Sequence, residues 1–127
     1  MIEFSVKLAN RPGQLATLAR ELSTAGVNID TLAAFTDGSE GIVKLVVDDD
    51  TGARRVLIEA GVSFDERRVV SAILHDQPGA LADMAEALAK TGVNIEAMYL
   101  LHSSEEGLHF AVVVDDHEQA KPHLASA

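Results

Sequence analysis

The chain has 127 residues, 47% of them hydrophobic but only 4% aromatic, with a formal net charge of −10 and no cysteine. That length and apolar content exclude a disordered polymer and allow one ordinary domain, or two small ones with cores of Val, Leu, Ile and Ala. The acidic balance argues against a nucleic-acid partner, whose phosphates would be repelled, and the absence of cysteine excludes a disulfide framework, a thiolate metal site and a cysteine nucleophile.

Glu3 and Lys7 interrupt any apolar run at the start, and no segment is long enough to span a bilayer, so a cytoplasmic location without a membrane partner is expected. Ile2, Phe4, Val6 and Leu8 alternate with Glu3, Ser5 and Lys7, the period of a strand with one buried face, ending at Asn10. Pro12 suits the first position of a helix, where its missing N–H is no loss, and Leu15, Leu18, Ala19 and Leu22 follow at helical spacing as a core stripe. Gly26 is expected to close that helix as a left-handed cap. Val27 to Phe35 and Ile42 to Val47 read as two strands of a hairpin, turning across Asp37 to Gly41. Asp48, Asp49 and Asp50 supply an N-cap and first-turn negative charge for a second helix, marked by Ala53, Val56, Leu57 and Ala60 and ended by Gly61. A fourth strand begins at Val62.

The pattern then starts again. Asn10-Arg11-Pro12-Gly13, followed by Gly26-Val27-Asn28-Ile29, reappears as Asp76-Gln77-Pro78-Gly79, followed by Gly92-Val93-Asn94-Ile95, with an offset of 66 positions. Leu81, Met84, Ala85 and Leu88 repeat the helical stripe, and Ile95 to Leu101 with Leu108 to Val114 repeat the hairpin across Ser103 to Gly107. Asp116 can cap a last helix, which Pro122 weakens. At the same offset the counterpart of Val62 falls beyond Ala127, so the second copy is expected to lack its fourth strand and to leave a sheet edge open. No Gly or Pro separates the fourth strand from the strand after it, so the copies join without a flexible linker. The predicted fold is α+β, two ferredoxin-like βαββαβ repeats in tandem over residues 1–67 and 68–127. The third strand is apolar on both faces in both copies, with Val43, Leu45 and Val47 opposing Ile42 and Val46, and His109, Ala111 and Val113 opposing Leu108, Phe110 and Val112. A sheet with helices on one side normally has a wet second face, so these residues predict that this face is covered by another sheet.

Two such units, each opening with a polar residue before x-Pro-Gly-x-Leu-Ala and each carrying Gly-Val-Asn-Ile after the helix, resemble the ACT domain family. The resemblance covers nearly the whole chain and implies a stand-alone tandem ACT protein that senses a small amino acid, with the ligand at the first strand–helix loop and the start of the second strand, between two ACT modules. In serine-sensing members an asparagine before x-Pro-Gly and another in Gly-Val-Asn-Ile contact the ligand. By motif these are Asn10 and Asn28, with Arg11, Pro12 and Gly13 in the loop, and in the second copy Asp76 and Asn94, with Gln77 and Gly79. Leu8 and Leu74 stand where the serine pattern has a histidine. A homodimer through the open edge of the second copy and the apolar second sheet face is expected, a regulated protein partner is a further implication, and no cofactor is called for.

The chemistry is compatible with that role. Unpaired N–H groups at the start of a helix favour a carboxylate, glycine admits a ligand to the backbone, and an Asn side chain can serve either end of a zwitterion. Asp76, an acceptor only, suits an ammonium group and repels a carboxylate, so unequal loops are expected. The plainer reading is that Asn10 and Asp76 are turn residues and that Asn28 and Asn94 help the chain leave the glycine cap. The histidines match no metal-ligand spacing. No catalytic residue is assigned. A ligand-free interaction module is the alternative function, and a small ferredoxin-like phosphatase using Arg11 with Asn28 or Asn94 is the third.

Overall fold

The computed structural model describes residues 1–124. The chain divides into two compact units, Met1–Arg68 and a second that starts at Val69. In the first, β1 (Ile2–Ala9), α1 (Gln14–Thr24), β2 (Ile29–Asp37), β3 (Glu40–Val47), α2 (Asp50–Ala60) and β4 (Ser63–Arg68) follow in order. The strands make one antiparallel sheet in the order β2-β3-β1-β4. Phe4 and Val6 of β1 lie opposite Leu45 and Val43 of β3, and Leu18 and Leu22 of α1 with Ala53, Val56 and Leu57 of α2 complete one core with them. The two central strands thus carry the apolar alternation. Arg68 still pairs with Ile2, which is why this unit runs to residue 68.

One ion pair ties α2 to β4. Arg54 Nε and Nη2 donate to the two Glu66 carboxylate oxygens at 2.7 and 2.6 Å, and the guanidinium lies over the Phe4 ring, 5.9 Å from its centroid. The hydrogen bonds from Arg54, helped by its charge, hold the Glu66 carboxyl below the usual glutamate range. Because the folded-state value is depressed, the pair's stabilisation is present above the unfolded value, about 4.3, and is lost as pH falls through the folded value. Glu66→Gln is therefore expected to melt slightly below the wild type at pH 7, and the gap should close on acidification below about pH 4. A gap unchanged between pH 7 and pH 3 would contradict this assignment.

The second unit contains β5 (Val70–Leu74), α3 (Ala80–Lys90), β6 (Ile95–Ser104), β7 (Gly107–Val114) and the short α4 (His117–Ala120), followed by a single 3-10 turn at Lys121–His123. Its sheet has three strands in the order β5-β7-β6. Among the described residues no fourth strand flanks β5, the position that β4 takes beside β1. Asp116 caps α4, its carboxylate accepting from the Gln119 N–H at 3.1 Å, and Pro122 falls in the 3-10 turn that replaces a longer helix. Ala72, Met84, Leu88, Val93 and Val112 form the core. On the opposite face Val69, Ala111 and Val113 are buried together, and in the first unit Val46 is buried on the equivalent side of β3.

Three local readings need correction. Pro12 does not begin α1; it precedes Gly13, and the helix starts at Gln14. Leu15 is 39% exposed and its counterpart Leu81 54% exposed, so neither belongs to the core stripe, which Leu18 and Leu22, and Met84 and Leu88, maintain. Finally, the offset of 66 does not hold throughout. Asn28 corresponds to Asn94, but Asp48, whose carboxylate accepts from the Asn28 N–H, corresponds to Asp115, whose carboxylate accepts from the Asn94 N–H. The extra residue lies where the β6–β7 register slips between Leu100 and His102. A bulge there absorbs Leu101 without turning the rest of β7 to the wrong face, the outcome that a one-residue slip in a flat ladder would have.

Candidate ligand-binding site

The loops that carry the repeated motif are turns of one defined type. In Arg11-Pro12-Gly13-Gln14 the Gln14 N–H points back to the Arg11 carbonyl at 3.5 Å, and Gly13 has φ 89° and ψ −10°. In Gln77-Pro78-Gly79-Ala80 the corresponding distance is 3.3 Å and Gly79 has φ 92° and ψ −16°. Proline at the second position and a positive-φ glycine at the third define a type II turn. The turn aims the chain into the helix, and no side chain caps the first turn of α1 or α3. The helices end alike, with the Val27 and Val93 N–H groups bonded to the carbonyls of Leu22 and Leu88 at 2.9 and 3.0 Å. Gly26 and Gly92 occupy the left-handed positions of this Schellman motif, as the sequence predicts.

Asn10 ties the end of β1 to the β2–β3 turn. Its N–H donates to the Ser39 carbonyl at 3.0 Å and its Nδ2 donates to the Gly38 carbonyl at 3.3 Å. That donor bond fixes the amide and leaves its oxygen available as an acceptor. Arg11 is exposed and makes no ion pair among the described residues. Beside these two residues a cavity of about 200 Å³ opens between the end of β1, the start of α1 and strands β2 and β3, with Asn10, Arg11, Gln14 and Leu15 on its wall.

Asn28 is elsewhere. Its backbone N–H and carbonyl both engage Asp48, at 2.9 and 3.1 Å, and its Nδ2 donates to Asp30 at 3.2 Å. Asp48 follows the last residue of β3, whereas Gly38 and Ser39 precede its first. Asn10 and Asn28 therefore lie at opposite ends of the same strand, roughly 25 Å apart at 3.3 Å per residue. Asn28 borders a separate cleft of about 400 Å³ with Ser23 and Gly26. One unit does not bring the two asparagines together, and within a unit the same distance separates Arg11 from Asn28.

In the second unit Gln77 borders a cleft of about 300 Å³ whose wall includes His75, Asp83, Met84 and His123. Asp76 is exposed beside it and, lacking a donor, cannot reproduce the Asn10 tie to the hairpin carbonyl. Asn94 repeats the backbone clamp of Asn28, with 2.8 Å to the Asp115 carboxylate and 3.1 Å from the Asp115 N–H to the Asn94 carbonyl. The reading of Asn28 and Asn94 as residues that lead the chain out of the glycine cap thus has a direct structural basis.

His102 and His109 stack across the β6–β7 hairpin, with ring centroids 4.2 Å apart, and His109 Nε2 lies 2.8 Å from Ser104 Oγ. Among the described residues no three His, Asp or Glu side chains are grouped to hold a metal ion. No helix among them is long and apolar enough to cross a membrane. The wall residue Leu15 is assigned to the core by helical spacing alone; the signal for its place on the rim is its position directly after the Pro-Gly turn, in the first turn of α1.

Comparison with known proteins agrees with this architecture. The ACT domain pair family matches residues 4–125. Among solved structures, a protein from Bacteroides thetaiotaomicron superposes with a TM-score of 0.83 at 24% identity, over 96% of this chain and 84% of that one. The ligand-free regulatory subunit of aspartate kinase from Thermus thermophilus superposes with a TM-score of 0.70 at 24% identity, over 97% and 87% of the two chains. Its counterpart from Thermus flavus gives 0.66 at 24% identity, over 96% and 88%. Among curated protein sequences there is no match. With the paired Pro-Gly turns, the glycine-capped helices and the two antiparallel sheets, the family match over nearly the whole chain makes this protein a member of the ACT domain family, built as a pair of ACT domains.

Proposed function

We propose that this ACT pair is a regulatory sensor of a free amino acid, without catalytic activity of its own, and that the β1–α1 turn of the first unit is its ligand-binding element. The observation that carries the reading is the cavity beside Asn10 and Arg11, where an uncommitted guanidinium and an oriented amide oxygen border one space. Arg11, with the uncapped start of α1, suits an α-carboxylate, and the Asn10 oxygen suits an α-ammonium group. Pro12 and Gly13 shape the turn. The second unit offers Asp76 and Gln77 in place of Asn10 and Arg11, has no cation at that place, and is the weaker site, with Gly79 and Asn94 in structural roles.

For Asn28 to reach the same ligand, it must come from another copy. Strand β2 is an edge of its sheet, and antiparallel pairing of β2 with β2 of a second chain carries that chain's Asn28 toward the Asn10 end. A homodimer is therefore part of the proposal. The half-exposed Phe35 on that edge, 50% accessible, also favours assembly without any ligand, which keeps a pure interaction module as the second reading.

Thermal melts with each of the twenty amino acids decide between them. A ligand at a hundred times its Kd stabilises the native state by about 2.7 kcal/mol. Asn10→Ala and Arg11→Ala are each expected to weaken binding by roughly tenfold or more, since a charge-assisted hydrogen bond contributes about 1.5–3 kcal/mol. No shift with any amino acid at millimolar concentration would leave only the interaction module. A strictly monomeric species by light scattering, with and without ligand, would remove the dimer from the proposal.

A further inference from the structure

The cavity at the first β1–α1 turn is chemically two-sided. Its polar groups, Asn10, Arg11 and Gln14, lie where β1 passes into α1, whereas Leu8, Leu15, Ala34 and Val43 form its apolar side. Leu15 is held 39% exposed on this rim, and Ala34 and Val43, paired across β2 and β3, present their side chains to the same face of the sheet. An aliphatic wall with an exposed leucine on its rim and a cation at one end matches a ligand that is charged at one end and apolar at the other. The corresponding cleft of the second unit also has apolar residues, Ile73, Leu74 and Met84, but His75, Asp83 and His123 stand among them, so an apolar side chain seated there would meet groups that need water or hydrogen bonds.

We infer that the ligand of the first unit is an α-amino acid with an aliphatic side chain, of the leucine, isoleucine or valine class, and that the second unit's cleft does not take it. This inference rests on the reading of the Asn10–Gly13 turn as the amino-acid site. In this pose the carboxylate faces Arg11 and the start of α1, the ammonium faces the Asn10 amide oxygen, and the side chain enters between Leu15, Ala34 and Val43. A serine or aspartate side chain would give up its hydration to the same wall with no partner in return.

Isothermal titration of the full chain tests it with leucine, isoleucine, valine, alanine, serine and aspartate. Each buried methylene contributes roughly fourfold in affinity, so leucine, with three more carbons than alanine, is expected to bind about sixty-fold more tightly. Filling the cavity from the exposed β2 edge by Ala34→Leu should weaken leucine by at least about tenfold while alanine changes less. Asp83→Ala in the second cleft should leave leucine binding unchanged. Tighter binding of serine or aspartate than of leucine, abolished by Arg11→Ala, would overturn the aliphatic assignment and keep the amino-acid site. Leucine binding that is insensitive to Ala34→Leu and lost in Asp83→Ala would overturn the assignment to the first unit. The absence of binding by any amino acid would overturn both the inference and the reading beneath it.

Discussion

Leu22→Ala is expected to destabilise the first unit by about 2–5 kcal/mol, the range for truncating a fully buried leucine. Leu22 is completely inaccessible and packs in one cluster with Phe4, Leu45 and Leu57. Its carbonyl also receives the Val27 N–H that closes α1, so the residue anchors both the core and the helix end. Leu88 repeats both roles in the second unit, with the Val93 N–H on its carbonyl and Met84 and Val112 in its cluster. A unit of about 60 residues has only a few kcal/mol to lose. Hydrogen exchange followed residue by residue should therefore show β1 and β3 losing protection first in Leu22→Ala, and β5 and β7 first in Leu88→Ala. Equal loss in both units from either change would show that the two clusters act as one core.

Gly107→Ala is expected to be the second severe change. Gly107 opens β7 with φ 137°, a conformation that side-chain-bearing residues rarely adopt, and an added Cβ would overlap the Leu74 carbonyl on the neighbouring strand. The backbone strain alone amounts to about 1–3 kcal/mol, and the obstructing atom is main chain that cannot rotate away. Gly41 has the matching place in the sequence repeat but not in the structure. A Cβ there would meet the Leu8 carbonyl oxygen at 3.6 Å, an ordinary contact, so Gly41→Ala should stay within about 1 kcal/mol of wild type. Urea denaturation of the two variants measures the difference. Similar midpoints would mean that the hairpin relaxes around residue 107.

The contrast between Gly41 and Gly107 comes from the bulge at Leu101, and it marks where reading the repeat as a fixed offset fails. The offset is a property of the chain, whereas equivalence is set by hydrogen-bond register, and one inserted residue inside a strand changes the second without disturbing the motifs on either side. The exposed Leu15 and Leu81 have a related cause. Helical spacing places them on the apolar stripe, but the type II turn begins the helix at the rim of the sheet, where no facing residue covers them. Pro12 is ambiguous for the same reason, since proline fits both the first helical position and the second position of a turn, and the positive φ of Gly13 decides between them.

The amino-acid sequence by itself determined the parts that depend on local chemistry. Alternation gave the strands, the Pro-Gly and Gly-Val-Asn-Ile motifs gave the helix boundaries to within a few residues, and the doubled pattern gave two ferredoxin-like units and the ACT family. The aspartates after β3 and β7 were legible as helix caps. Only the tertiary structure decided which candidates share a site. It put Asn10 at one end of β3 and Asn28 at the other, assigned Asn28 and Asn94 to backbone clamps with Asp48 and Asp115, and opened an apolar cavity beside Asn10 and Arg11. The physical reason is that residues in an antiparallel sheet meet through strand order and register, and neither is contained in a motif of a few residues.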